Sequence, residues 1–111
     1  MKYLCLVYGD EALLAGKDDR ECMACAESLQ HSGHLLAGAA LQPVATATTV
    51  RVRNGEVAVT DGPFAETKEQ LAGFYLLEAR DLNEALEKAA KIPPVRIGSV
   101  EVRPVRQLAL D

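Results

Sequence analysis

Apolar positions in this chain fall into a few dense runs separated by short polar punctuation. The first run, KYLCLVY (Lys2 to Tyr8), is almost wholly apolar and rich in strand formers, which predicts a central strand covered on at least one face. Gly9, Asp10 and Glu11 end it. Residues 11–17 carry no clear period, and Gly16 breaks them. From Asp18 or Asp19 a helix is predicted, with acids in the first turn where the macrodipole favours them. Met23, Ala26 and Leu29 give it an apolar face, Cys22 and Cys25 lie beside that face, and Gly33 is placed to end it.

HLLAGAALQP (His34 to Pro43) reads as a second strand, with Gly38 marking a bulge or a close approach. In TATTVRVRNGEVAVTDG, Val50, Val52, Val57 and Val59 alternate with polar or small residues around Asn54-Gly55, the strongest short-range hairpin signal in the chain. LAGFYLLEA (Leu71 to Ala79) is a further buried strand. Asp81 with Glu84 three residues on forms a capping box, opening a helix that carries Leu82, Ala85, Leu86, Ala89 and Ala90. Pro93 and Pro94 stop it, and GSVEVRPV (Gly98 to Val105) is the last strand.

The order is β-α-β, hairpin, β-α-β. It predicts an α+β, ferredoxin-like fold with an inserted hairpin, in which one mainly antiparallel sheet carries two helices on one face. The other sheet face cannot all be solvated, so a homodimer of the dimeric α/β-barrel type is expected.

Composition narrows the picture. At 111 residues the chain fits one domain spanning 1–111. Aromatic residues are only 5% and Trp is absent, so the core is expected to be aliphatic. A net charge of -4 without any extended Lys/Arg cluster argues against direct nucleic-acid binding. No apolar run reaches the ~18 residues of a membrane span, and the N-terminus reads as a strand rather than a signal peptide. The three cysteines, Cys5, Cys22 and Cys25, do not make a disulfide scaffold and suit a reduced, cytoplasmic setting. Cys22 and Cys25 form a C-x-x-C inside the helical pattern, and no second C-x-x-C accompanies it for zinc.

Candidate chemistry gathers in TDGPFAETKEQLAGFY (Thr60 to Tyr75). Asp61-Gly62-Pro63 is turn chemistry, and the Asp61 carboxylate can cap the N–H groups that follow or exchange a proton. Phe64 is expected to pin the loop or wall a cleft. ETKEQ has the spacing of a short helical turn, with Glu66 and Lys68 as ligand-binding candidates, Lys68 for an anion. His34 could reach a sheet-end pocket as a second catalytic group, and Asp10 sits at a strand end where ligands often bind. No metal motif, cofactor motif or glycine-rich phosphate loop is present.

The runs LQP, TATTVR, DGPFAETKEQLAGFY and GSVEVRP resemble the DGPF-domain proteins, a branch of the YciI-like (YCII-related) superfamily, over residues 41–105, and MKYLCLVYGDE fits as well. The resemblance implies a small ferredoxin-like protein that forms a dimeric barrel. Superfamily relatives include a dehydrochlorinase, and a His-Asp pair is proposed as catalytic in the YciI-like branch. Cys22 stands at the position matching that histidine, and Ala39 stands where relatives carry a glutamate before LQP. Asp61, Gly62, Pro63, Phe64, Glu66, Lys68 and Glu69 match the motif. The resemblance also implies a setting beside extracytoplasmic-function sigma factors. The leading expectation is a protein that binds a small polar or anionic molecule at the Asp61 loop, with proton-transfer chemistry of the elimination or isomerisation type. Its rival is a non-enzymatic regulatory or interaction module linked to such a sigma factor.

Overall fold

A computed structural model describes residues 1–109. The strands are β1 (Lys2–Gly9), β2 (Leu35–Ala40), β3 (Thr48–Arg53), β4 (Glu56–Asp61), β5 (Gln70–Glu78) and β6 (Ser99–Pro104). The helices are α1 (Glu11–Leu14), α2 (Asp19–His31) and α3 (Leu82–Ala89), with 3-10 turns at Val44–Thr46 and Pro93–Arg96. Four strands form one antiparallel sheet in the order β2-β5-β1-β6, the ferredoxin-like arrangement. The hairpin β3–β4 is a separate two-stranded ribbon.

Strand alternation divides the sheet into two faces. Tyr3, Cys5, Val7 and Leu77 point to the helix face and are buried, where Cys5, Val7 and Leu77 meet Leu29 of α2, Ala89 of α3 and Ile92. Both long helices therefore lie on one face. The aliphatic expectation holds for most of this core, with the exception of Tyr3, which is among the largest fully buried side chains. On the opposite face Leu4 pairs with Leu76 and Leu6 with Phe74, and Ala37 and Ala39 of β2 join them. Among the described residues no helix covers that face.

Local signals explain most boundaries. The Asp18 side chain accepts from Arg20 N–H at 2.9 Å to start α2. The buried stripe of α2 is not the expected one: Met23 is 62% exposed, while Cys22, Cys25 and Ala26 are half-buried and Leu29 is buried. An i, i+3, i+4, i+7 period set by Leu29 selects the cysteines over Met23. In α3 the Asp81 carboxylate accepts from Glu84 N–H at 2.9 Å, but Glu84 returns its bond to Arg80 N–H at 3.0 Å, one residue earlier than a standard box. The bulge expected at Gly38 lies instead between Leu35 and Ala37. Gly38 is a close-approach site, since a Cβ there would stand 3.1 Å from Phe74 O.

The hairpin turn uses Asn54 and Gly55, both at positive φ (53° and 76°), as a primed turn requires. Val50 pairs with Val59 and Val52 with Val57, so all four valines share one face, and they are 57–67% exposed. The molecule is a flat plate of 47 × 46 × 18 Å with a radius of gyration of 15.8 Å. A compact chain of this length would have about 13 Å, and the projecting ribbon accounts for part of the excess. No helix among the described residues is long and apolar enough to cross a membrane.

Candidate functional site

The C-terminal end of β1, the N-terminal end of β5 and the base of the hairpin converge at one end of the sheet. Gly9 pairs with Gln70, and Tyr8 with Leu71 after a register shift. That shift places one extra residue, Ala72, in β5, so Leu71 joins Tyr8 on the helix-free face. The loop 62–69 leaves β4 here. Gly62 has φ of 110°, a conformation that strains any residue with a Cβ. Its N–H donates to Ala47 O at 2.8 Å, and its carbonyl accepts from Thr49 Oγ1 at 2.8 Å.

Further along, the Thr67 hydroxyl donates to Glu69 O at 2.5 Å, Gln70 Nε2 donates to Thr67 O at 2.8 Å, and Ser99 Oγ donates to Glu69 Oε1 at 2.9 Å. The loop is irregular but tied at both ends, and the helical turn expected in ETKEQ does not form. Across from it, Glu11 of α1 accepts from Val44 N–H at 2.7 Å and holds the 41–47 segment in place. Between the two segments lies a cavity of about 530 Å³. Tyr8 and Leu71 line it from the sheet, Val44 and Ala47 from one segment, Phe64 and Thr67 from the other. Gln42 and Gln70 add amides, and no charged side chain is among its walls.

The expected site residues distribute unevenly around this cavity. Phe64 is a wall, but it does not pin the loop to the core: its side chain is 81% exposed, with the Arg51 guanidinium carbon 5.7 Å from its ring centroid. Asp61 ends β4 and is exposed, and among the described residues its carboxylate caps no N–H group and joins no ion pair. Lys68 is exposed next to the wall residue Thr67. Glu66 lines a smaller hollow of about 220 Å³ beside the same loop, with Gly62, Pro63 and Gln70. Asp10 lies at this end of the sheet, but its carboxylate caps α1 by accepting from Ala12 N–H at 2.9 Å.

His34 is not brought to the loop. It precedes β2, and its carbonyl accepts from Glu78 N–H, at the far end of β5 from Gln70. A nine-residue strand separates the two ends by about 26 Å at ~3.3 Å per step. There His34 Nδ1 lies 2.7 Å from Ser32 Oγ, and Nε2 lies 3.4 Å from Glu84 Oε1. The row Ser32–His34–Glu84 has the composition of a nucleophile triad, yet Ser32 Oγ is shared between the imidazole and the helix carbonyl of Leu29, 3.1 Å away. The row joins the end of α2 to the start of α3.

Sequence reasoning missed Glu11 as clamp and Arg51 as the cation beside Phe64. Only Arg51 left a readable signal: alternation in Val50-Arg51-Val52 puts it on the ribbon face opposite the valines.

Comparison with known proteins agrees with this architecture. The family model described as the YCII-related domain matches residues 1–109. An uncharacterized protein of Rhizobium meliloti (strain 1021) is 40% identical over 114 aligned positions, covering 95% of this chain and 92% of the relative. The chain belongs to the YCII-related family.

Proposed function

We propose that this YCII-family chain binds a small molecule in the cavity beneath the loop 62–69, and that it works as a homodimer. The observation that carries the reading is the cavity of about 530 Å³ walled by Pro63 and Phe64, which follow closely in the chain on Asp61 with its unspent carboxylate. A loop serving only as a corner would use that carboxylate as a cap and leave no hollow beside it. The walls suggest the ligand class. Tyr8, Gln42, Thr67 and Gln70 offer hydrogen bonds, and the remaining walls are largely apolar. A compact apolar body with one or two polar groups fits, and any anionic group would remain at the rim, near Arg51 and Lys68. In the catalytic form of this reading Asp61 exchanges the proton of an elimination or isomerisation, without His34 of the same chain.

Two uncovered apolar surfaces support the dimer: the sheet face of Leu4, Leu6, Phe74 and Leu76, and the valine face of the ribbon. An isolated two-stranded ribbon is marginal in water, and a second copy would cover both surfaces through one self-complementary contact. The valine face is also what the alternative would use, a regulatory module docking a sigma-factor-linked partner. Sedimentation separates the two. A dimer that Leu6→Lys or Val57→Lys dissociates supports the first, and a wild-type monomer supports the second. The three free thiols suit a reduced, cytoplasmic setting.

The ligand reading is tested by ligand-observed NMR and melting curves with 4-hydroxybenzoate and its neutral amide. Ala65→Trp, which fills the cavity from an exposed wall position, is expected to melt like wild type and lose the binding signal. Undiminished binding to that variant, or no binding of either probe to wild type, would sink the reading.

A further inference from the structure

We propose that Cys22 and Cys25 form a two-thiol site for a neutral trivalent arsenical, opening onto a second cavity on the helix face of the sheet. The site is independent of the loop cavity, which lies on the other face. Cys22 and Cys25 stand one turn apart on α2, both half-buried against the sheet. Cys22, but not Cys25, lines a hollow of about 290 Å³ together with Met23, Leu35, Gly38, Gly73 and Tyr75 among others. Apart from the thiol and the Tyr75 phenol, its side chains are apolar and mostly small, leaving room for an organic substituent.

Three features select the ligand class. The first is spacing. Residues three apart on a helix hold their Cβ atoms about 5–6 Å apart, whereas a disulfide needs about 3.5–4.5 Å. A direct S–S bond would compress α2, while a single atom bridging the two sulfurs would not. The second is ligand number. Among the described residues no group of three His, Cys, Asp or Glu side chains could hold a metal ion, so a four-coordinate zinc site is not available. A ligand that brings its own third substituent needs only two thiols. The third is charge. Burial pushes both thiols up, Cys22 further through Asp19 and Glu21 and Cys25 through Cys22, and the Tyr75 phenol on β5, which lines the same hollow, is pushed up to about 12, first by burial. These surroundings resist thiolates, and therefore anionic metal dithiolates and peroxide chemistry alike.

Condensation with an arsenoxide avoids charge altogether. Two As–S bonds form and the As=O bond is lost. Both thiol protons leave with that oxygen as one water, and arsenic stays trivalent, so no electrons are exchanged. Cys25 already directs its S–H at Lys91 O, 3.4 Å away, a weak bond that the reaction releases.

The test is native and denaturing mass spectrometry of the folded chain with equimolar phenylarsine oxide. The expected product is one phenylarsine per chain with loss of one water, reversed by ethanedithiol. Cys22→Ala, at a half-exposed position, is expected to keep the fold and abolish the adduct, and Cys25→Ala to abolish it too. Cys5→Ala is expected to retain the adduct, since Cys5 is fully buried. An adduct that survives Cys22→Ala, requires Cys5, or forms on wild type only in denaturant would overturn the proposal.

Discussion

The two ends of the same sheet treat their polar groups in opposite ways. At the end where β5 finishes, the carboxylates of Glu78, Asp81 and Glu84 are all paired, although a hollow lined by Met1, Lys2, Glu78 and Arg106 opens there too. The N-terminal ammonium donates to Ala79 O and meets Glu78, His34 bridges Ser32 and Glu84, and Asp81 caps α3. Tyr3, Ala79 and Ala85 pack beneath them in a small apolar cluster. At the end where β5 begins, backbone groups of the loop are tied, but the Asp61 carboxylate is left over and a hollow stands open. The lesson is that titratable groups in a row do not mark a site when their protons are already committed. An uncommitted group beside unfilled space is the better marker.

The sharpest way to break this contrast is to empty the apolar cluster beneath the paired carboxylates. Tyr3→Ala removes a fully buried ring and should cost about 3–5 kcal/mol of unfolding free energy in urea titrations. A loss under 1 kcal/mol would mean that this end is not the anchored one. Next in size, Asp81→Ala deletes a cap and should cost about 1 kcal/mol, lowering the melting point by about 4–8 °C.

Acid should also act first on the end where β5 finishes. The Glu84 carboxyl is held below its usual range by the Arg80 N–H bond, then by the charges of Arg80 and His34; Glu78 is held down chiefly by its bond from the N-terminal ammonium. Both bind protons less tightly folded than unfolded. Their contribution is therefore complete above the unfolded value of about 4.3 and is lost as pH falls through the lower folded values. Hydrogen exchange at pH 4 against pH 6 should show protection falling first around Arg80 and Glu84. Earlier loss at Gly62 would reverse the order.

The smallest effect is the most diagnostic. Asp61→Asn should change stability by less than about 0.5 kcal/mol, the range of an unbonded surface position. A drop as large as that of Asp81→Ala would return Asp61 to a capping role and remove the main support for a ligand there.

Much of the fold was legible because its signals are local. Asn54-Gly55 dictated the ribbon, Asp81 with Glu84 opened α3, and the dense apolar run of β1 marked it as a central strand before any contact was known. The candidate site was legible only as a neighbourhood. Its loop takes its shape from Ala47, Thr49 and Ser99, which lie 15, 13 and 30 positions from their partners Gly62, Gly62 and Glu69. No periodicity in ETKEQ could report such bonds. The Ser32–His34–Glu84 row spans 50 positions between His34 and Glu84 and was hidden for the same reason. Met23 misled because its apolar character was counted without the phase that buried Leu29 imposes on α2.

The central place of β1 has a consequence in time. This strand is synthesised before its neighbours β5 and β6, which are completed only at Glu78 and Pro104. At roughly 5–20 residues per second, β1 waits on the order of 5–20 s for both of them. Until β5 is complete KYLCLVY has neither of its partner strands, and its long-range pairings make folding slow. Nascent-chain protection is thus needed earliest for the segment that ends up most enclosed.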